Sequence, residues 1–293
     1  MKRLKNRNQK ILNVHHLDLD GCCSSIVVGS VYKNVEYVGL KYGQVDSYLS
    51  KVDFTKYDSI ILTDISPENI ETFDLSDKIY LLDHHETALK YNNNVNRFVI
   101  DGKCAGTLCK TFFENLLHIN LSHLKDLVEI VNDYDMWILK TPELSWGMNE
   151  LFFRYFSDNF RYRFFSGDVK FTNDEIEYLA SRRKQFTTTY KNTKLFKMDS
   201  IKGGVFVGSE FLNDLCHDFM KNEKLDIIFC INQKTNSCSV RSNLDLHIGN
   251  FLQANLSNSG GHKNSGAFKF NDINDVHSKL DMLELNLFKE LKK

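Results

Sequence analysis

Four short clusters of acidic and histidine side chains stand out in this chain. They are His15-His16-Leu17-Asp18-Leu19-Asp20-Gly21, Thr63-Asp64-Ile65, Leu81-Leu82-Asp83-His84-His85 and Asn132-Asp133-Tyr134-Asp135. Hard carboxylate oxygens with a few imidazoles suit Mn²⁺ or Mg²⁺ better than a thiolate site would. A carboxylate set between two such ions can bridge them at about 3.5–4 Å, the arrangement that activates water for phosphoester hydrolysis. Each cluster alone has a plainer reading. An Asp after a strand usually caps the next helix, and a His-His pair is often structural. Four of them in this order, each after an apolar run, point instead to one divalent-metal site.

The elements that must position them are legible as alternating patterns. Ile11 to Val14, Tyr37 to Leu40, Ser59 to Thr63, Lys78 to Leu82 and Phe98 to Ile100 read as buried strands. Ser24 to Val31, Thr107 to Leu117 and Leu121 to Val131 have helical spacing. Strands interleaved with helices predict an α/β fold with a parallel sheet built from βαβ units. Ligands bind beyond the carboxyl ends of the strands in such sheets, so the first three clusters are expected to converge on one crevice. From about residue 136 to 171 the sequence turns aromatic, with Phe152, Phe153, Tyr155, Phe156, Phe160, Tyr162, Phe164 and Phe165 in one short span. This reads as a helical core insert, although some rings could form a stacking floor for bases. Thr172 to Phe196 reads as one long polar helix, with Thr172 as N-cap and Glu175 at the capping-box position.

Beyond Lys202-Gly203-Gly204 the pattern becomes strand-rich again. Strands are expected at 205–207, 226–231 and 237–242, with helices at 211–220 and 246–254. The expected division is therefore a catalytic domain over 1–171, a linker helix over 172–199 and a smaller α/β domain over 200–293. With 293 residues, two domains are the soft prior. A net charge of -1 excludes a protein that holds nucleic acid mainly through bulk positive charge. A nuclease stays admissible, because metal ions supply positive charge locally. The 22 Phe and 12 Tyr argue against a disordered chain. No stretch approaches the roughly 20 apolar residues of a membrane span. The basic opening MKRLKNRNQK is followed only by Ile11 and Leu12 before Asn13, too short a run for a secretory signal. Seven cysteines, an odd number without a CxxC pair, suit reduced thiols. The chain is expected to be untargeted and cytoplasmic, with no membrane partner.

On these motifs the chain resembles the DHH phosphoesterase superfamily, named for the triplet found here as Asp83-His84-His85. His16-x-Asp18-x-Asp20-Gly21 and Asp64 match that family's first and second motifs, and Ser259-Gly260-Gly261-His262-Lys263-Asn264-Ser265-Gly266-Ala267 resembles the glycine-rich signature of its associated C-terminal domain. That glycine run is two residues here rather than three, with Ser259 in the other place. Val240-Arg241-Ser242 resembles the same domain's arginine strand. Asp135-Met136-Trp137 and the HxDxDG form look most like the nanoRNA-degrading, NrnB-like branch.

The resemblance implies two divalent ions, Mn²⁺ preferred with Mg²⁺ or Co²⁺ as substitutes. His16, Asp18 and Asp64 would hold the first. Asp20, Asp64, His84 and Asp135 would hold the second, with Asp64 bridging. His85 would face the scissile phosphate, and Asp83 would orient an imidazole. Asp133 and Asp135 both stand available for the fourth motif, and Asp135 is favoured because it leads into Met136-Trp137. Arg241, Gly260, Gly261 and His262 would bind the substrate. The implied activity is hydrolysis of short single-stranded oligonucleotides to mononucleotides, with a homodimer left open. Cyclic or linear dinucleotide hydrolysis, 3′-phosphoadenosine hydrolysis and non-catalytic nucleotide binding are the alternatives.

Overall fold

The computed structural model describes residues 3–73, 78–93 and 95–291. The chain forms two compact units, Met1–Ala180 and Ser181–Lys293. The division falls inside one helix, within the segment expected to link two domains.

The first unit runs β1 (Lys10–His16), α1 (Leu19–Val31), β2 (Asn34–Leu40), α2 (Val45–Leu49), β3 (Ser59–Thr63), α3 (Ile70–Phe73), β4 (Ile79–Asp83), β5 (Arg97–Val99), α4 (Ala105–Leu117), α5 (Lys125–Asp135) and α6 (Pro142–Phe164). Its sheet has the order β2-β1-β3-β4-β5, and every pairing is parallel. A parallel sheet is covered on both faces, so its strands need near-continuous apolar sequence. Accordingly β3 and β4 are buried along their whole length. Leu12, Val14, Ile60, Leu62, Ile79 and Leu81 share one core with Val45, Leu49 and Ile70. The chain leaves β1 toward β2 on one side and toward β3 on the other. The carboxyl ends of β1 and β3 therefore flank the point at which the strand order reverses, the crevice such sheets use for ligands.

Helix α1 begins at Leu19, five residues earlier than its apolar pattern suggests, because Asp18 caps it by accepting from the Gly21 amide at 2.9 Å. Gly21 is required there, since a Cβ would lie 2.1 Å from the His16 carbonyl oxygen. The aromatic segment is helical, kinked at Phe156, whose φ is 55°. Its rings divide: Phe152, Phe160 and Phe164 are buried, whereas Phe153, Phe156, Tyr162 and Phe165 are exposed.

Helix α7 (Asn173–Asn192) starts with the expected capping box. The Thr172 amide donates to Glu175 Oε2 at 2.7 Å and the Glu175 amide to Thr172 Oγ1 at 3.3 Å. The Arg163 guanidinium also donates to Glu175. The helix stops at Asn192 rather than reaching Phe196, which opens a two-residue strand.

The second unit holds β6 (Phe196–Lys197), β7 (Gly203–Val207), α8 (Leu212–Glu223), β8 (Ile227–Asn232), β9 (Ser237–Ser242), α9 (Ile248–Asn255), β10 (Ser259–Gly261), β11 (Ser265–Lys269) and α10 (Ile273–Glu290). Its mixed sheet has the order β10-β11-β9-β8-β7-β6, with only β7 and β8 parallel. Val276, Leu280, Leu283 and Leu287 of α10 pack on Phe229, Val240 and Phe268 of that sheet. All seven cysteines are free and buried. No described helix is long and apolar enough to cross a membrane.

Candidate metal centre

The ends of β1, β3 and β4 lie side by side, and they bring His16, Asp64 and Asp83-His84-His85 together. Three groups offer three ligand atoms within 4.8 Å of one another: His16, Asp18 and Asp64; Asp20, His84 and Asp135; and Asp64, His84 and His85. Asp64 belongs to two of them, and so does His84. Asp64 is 1% exposed and sits at φ 61°, a left-handed conformation that an ordinary side chain adopts at a cost. Its amide still donates to the Leu82 carbonyl at 3.0 Å, which ties the bend to β4.

Asp18, Asp20 and Asp83 each have an anchor of their own. Asp18 caps α1 through Oδ1 and turns Oδ2 to His16 Nδ1, 2.7 Å away. Asp20 accepts from the amides of Ala105 and Gly106 at 2.6 and 2.9 Å. Those amides open α4, so the positive end of a helix dipole faces a buried anion. Asp83 Oδ1 accepts from the His84 amide, the His85 amide and His85 Nδ1 at 2.7, 3.1 and 2.7 Å. His85 is thereby fixed with Nδ1 toward Asp83, and its Nε2 receives the Tyr42 hydroxyl at 2.5 Å.

Asp133 and Asp135 part company. Asp135 Oδ2 lies 3.6 Å from His84 Nε2, which is also 3.2 Å from Asp64 Oδ1 and 3.7 Å from Asp20 Oδ2. Asp133 instead accepts from the amides of Lys140 and Thr141 and from the Thr141 hydroxyl, at 2.7, 2.9 and 3.1 Å. It ties down the loop that follows α5.

The electrostatics fit a cation. Burial and the charges of Asp18 and Asp20 push Asp64 well above the usual carboxylate range. Burial and Asp20 do the same to Asp135, against the opposing pull of His84. Burial alone would lower His16, but Asp18 and Asp64 raise it to about 10. His84 is likewise raised by Asp135, Asp20 and Asp83 against its burial. Buried Asp64 Oδ2 and Asp135 Oδ2 find no hydrogen-bond partner. Oxygen and imidazole atoms that converge without donors are what a divalent ion requires, so the residues fit such ions. His15, directly before His16, is a different case. It is buried, bonds the His16 carbonyl through Nδ1, and burial lowers its pKa to about 4.

In the second unit, Arg241 on β9 donates to the Val240 carbonyl and to Asn213 Oδ1 of α8, at 2.9 and 2.6 Å. Gly260 and Gly261 form β10 and pair with Ala267 and Gly266 of β11. The Gly249 amide at the start of α9 donates to the His262 carbonyl at 3.0 Å. Close approach explains Gly261: its φ is 150°, and a Cβ would lie 2.2 Å from the Ser265 carbonyl oxygen.

Sequence reasoning passed over Tyr42 and the Ala105-Gly106 amides. Tyr42 sits in the turn after β2, its ring 4.3 Å from the His16 ring and edge-on to His85 at 5.4 Å. Burial and the facing carboxylates Asp64, Asp18, Asp83 and Asp135 push its hydroxyl pKa well up.

Two outcomes follow. With Asp135 as the ligand, Asp135→Asn should empty one ion site while leaving Tm close to wild type. Asp133→Asn should keep the metal and lower stability by about 1–3 kcal/mol through weakened loop bonds. Metal content by plasma emission together with thermal melts separates them, and metal loss in the Asp133 variant would reverse the assignment. The second outcome concerns protons. His16, raised to about 10, holds one at neutral pH, and a bound ion must displace it. Metal affinity should therefore rise with pH, by about a power of ten per unit for each proton released. Calorimetry in two buffers of different ionisation enthalpy should show net proton release at pH 7.

No family model and no curated protein matches the sequence. Solved structures do match. The DHH domain of a member of the s1p family of ribosomal proteins aligns with a TM-score of 0.62 at 14% identity, covering 98% of this chain and 88% of that one. RecJ from Thermus thermophilus, in complex with Mn²⁺, aligns at 0.58 and 11% identity; the alignment covers 98% of this chain but only 55% of RecJ. The pGpG-specific phosphodiesterase PggH from Vibrio cholerae aligns at 0.56 and 15%, covering 97% of this chain and 99% of that one. At these identities the likeness is one of fold: this chain shares the fold of these structures, and its Asp83-His84-His85 stands at the carboxyl end of β4.

Proposed function

We propose that the protein is a divalent-metal-dependent phosphodiesterase that removes nucleotides from short single-stranded RNA or DNA, in the manner of the NrnB-like oligoribonucleases. The observation that carries this reading is Asp64, a buried carboxylate shared by two groups of ligand atoms at the switch point of a parallel sheet. His16, Asp18 and Asp64 would hold one ion, and Asp20, Asp64, His84 and Asp135 the other. Mn²⁺ is the preferred ion in this reading, with Mg²⁺ or Co²⁺ able to replace it. Such ions lower the pKa of water and neutralise charge on a phosphoryl group.

The chain's own residues set the rest. Asp83 holds His85 by Nδ1, so it is the opposite, Nε2 edge, where the Tyr42 hydroxyl rests, that would face a phosphate. The Ala105 and Gly106 amides keep Asp20 in place without using a side chain. In the second unit we assign Arg241 and His262 to the nucleotide end of the substrate. Asn213 orients the guanidinium, which offers a planar fork to phosphate. Gly260 and Gly261, next to His262 in the chain, would let backbone N–H groups approach a phosphate closely. The near-neutral chain suits a substrate of a few nucleotides rather than a long strand. We place the protein in the cytoplasm and leave a homodimer open. Likeness of fold to PggH favours linear dinucleotides as the shortest substrates.

The test is turnover with Mn²⁺ on a dinucleotide, a five-nucleotide RNA, a long strand and a cyclic dinucleotide. The first two should be cleaved best, and Asp64→Ala should abolish cleavage with loss of bound metal. Preference for the cyclic substrate would replace the oligonucleotide reading. Arg241→Ala and His262→Ala should keep full metal content. A lost charge-assisted phosphate contact is worth roughly 1.5–3 kcal/mol, or about one to two powers of ten in affinity. That loss should fall on the five-nucleotide RNA and largely spare bis-p-nitrophenyl phosphate, which has no second nucleotide. Equal losses on both would place these residues in the chemistry itself.

A further inference from the structure

We infer that Tyr42 is a substrate-contacting residue of this site, whose hydroxyl donates a hydrogen bond to a non-bridging oxygen of the bound phosphate. This assignment rests on the phosphoesterase reading above. The metal cluster is built from acceptors, namely the carboxylates of Asp18, Asp20, Asp64, Asp83 and Asp135. A phosphate entering such a cluster needs donors besides the ions, because each unpaired contact of anion with anion is costly. Tyr42 supplies a neutral O–H at that place. Its ring covers His16 at 4.3 Å and meets His85 edge-on, so it spans residues of both ends of the cluster. Its hydroxyl lies on His85, the imidazole that Asp83 holds by the other ring nitrogen. The residue as a whole is nevertheless 55% exposed, and so lies at the mouth of the site.

Without substrate the hydroxyl rests on His85 Nε2, the edge we have assigned to face the phosphate. A phosphate oxygen arriving at that edge comes within reach of the same O–H, which needs only to rotate about its C–O bond to donate to it. The turn allows adjustment: Gly43 follows at φ 78°, and nothing lies within 4 Å of where its Cβ would be. No covalent step is involved.

The experiment compares wild type, Tyr42→Phe and Tyr42→Ala, each loaded with Mg²⁺, with inorganic phosphate as the probe. Tyrosine labelled with ¹³C at Cζ reports the hydroxyl's partner, and the Tyr42 resonance is the one missing from Tyr42→Phe. Phosphate should move that resonance. Tyr42→Phe should keep its metal content and bind phosphate about three- to tenfold more weakly, the range of one hydrogen bond. KM for a five-nucleotide RNA should rise by a similar factor. Unchanged or tighter phosphate binding by Tyr42→Phe overturns the assignment. So does a loss confined to Tyr42→Ala, which would assign the ring rather than the hydroxyl. If wild type with bound metal neither binds phosphate nor turns over a phosphodiester, the phosphoesterase reading fails and takes this inference with it.

Discussion

Mutual repulsion among buried carboxylates is the constraint around which the first unit is arranged. Asp20, Asp64 and Asp83 are each at most 1% exposed, and Asp135 stands beside them. Ionised carboxylates taken out of water repel one another and lose their hydration, so such a group either takes up protons or collects cations. The pull toward protons is plain in the directions of the shifts: burial and neighbouring carboxylates raise Asp64 and Asp135, and the same carboxylates raise His16 and His84 against their burial. Divalent ions are the second course and use the same atoms. A cluster this unfavourable persists only because the surrounding fold over-determines it.

That support is mostly backbone. Asp18 is fixed by the first turn of α1, Asp20 by the first amides of α4, and Asp83 by the amides of the two histidines that follow it. Asp64 is held in a left-handed conformation by the pairing of its own amide with β4. Helix N-termini and strand ends thus offset part of the repulsion before any ion binds, because their unpaired N–H groups favour negative charge. The order β2-β1-β3-β4-β5 places these termini on one edge of the sheet, and a different strand order would scatter the same motifs.

How much of this was legible in the sequence depended on where each residue's partners lie. His16, Asp18, Asp20, Asp64, His84 and His85 follow apolar runs at short spacing, so a parallel-sheet reading was enough to gather them. The capping box of α7 was readable because both partners lie within four residues. Tyr42 escaped because its partners, His16 and His85, are dozens of residues away and its turn has no motif of its own. The Ala105 and Gly106 amides escaped because a backbone donor leaves no trace in side-chain type. Helix α10 was missed although Val276, Leu280, Leu283 and Leu287 recur at helical spacing, a signal overshadowed by the glycine-rich tail before it. Helix α7 was drawn too long because Phe196 fits an amphipathic pattern, whereas β6 takes it to pair with β7.

The two acidic residues that end α5 show how one sequence motif serves two ends. Positions two apart on a helix lie on different faces, so Asp133 and Asp135 cannot both look into the cluster. Asp135 meets His84, and Asp133 faces the loop that follows. That loop carries left-handed residues at Trp137 and Leu139, neither of them glycine. Backbone of this kind is held only where something captures its amides. Asp133 does so twice over, its carbonyl accepting from Ile138 and Leu139 and its carboxylate from Lys140 and Thr141. The last turn of α5 is thereby anchored from below, and the direction in which Asp135 leaves it is set. A carboxylate turned away from the cluster thus fixes the aim of one turned into it.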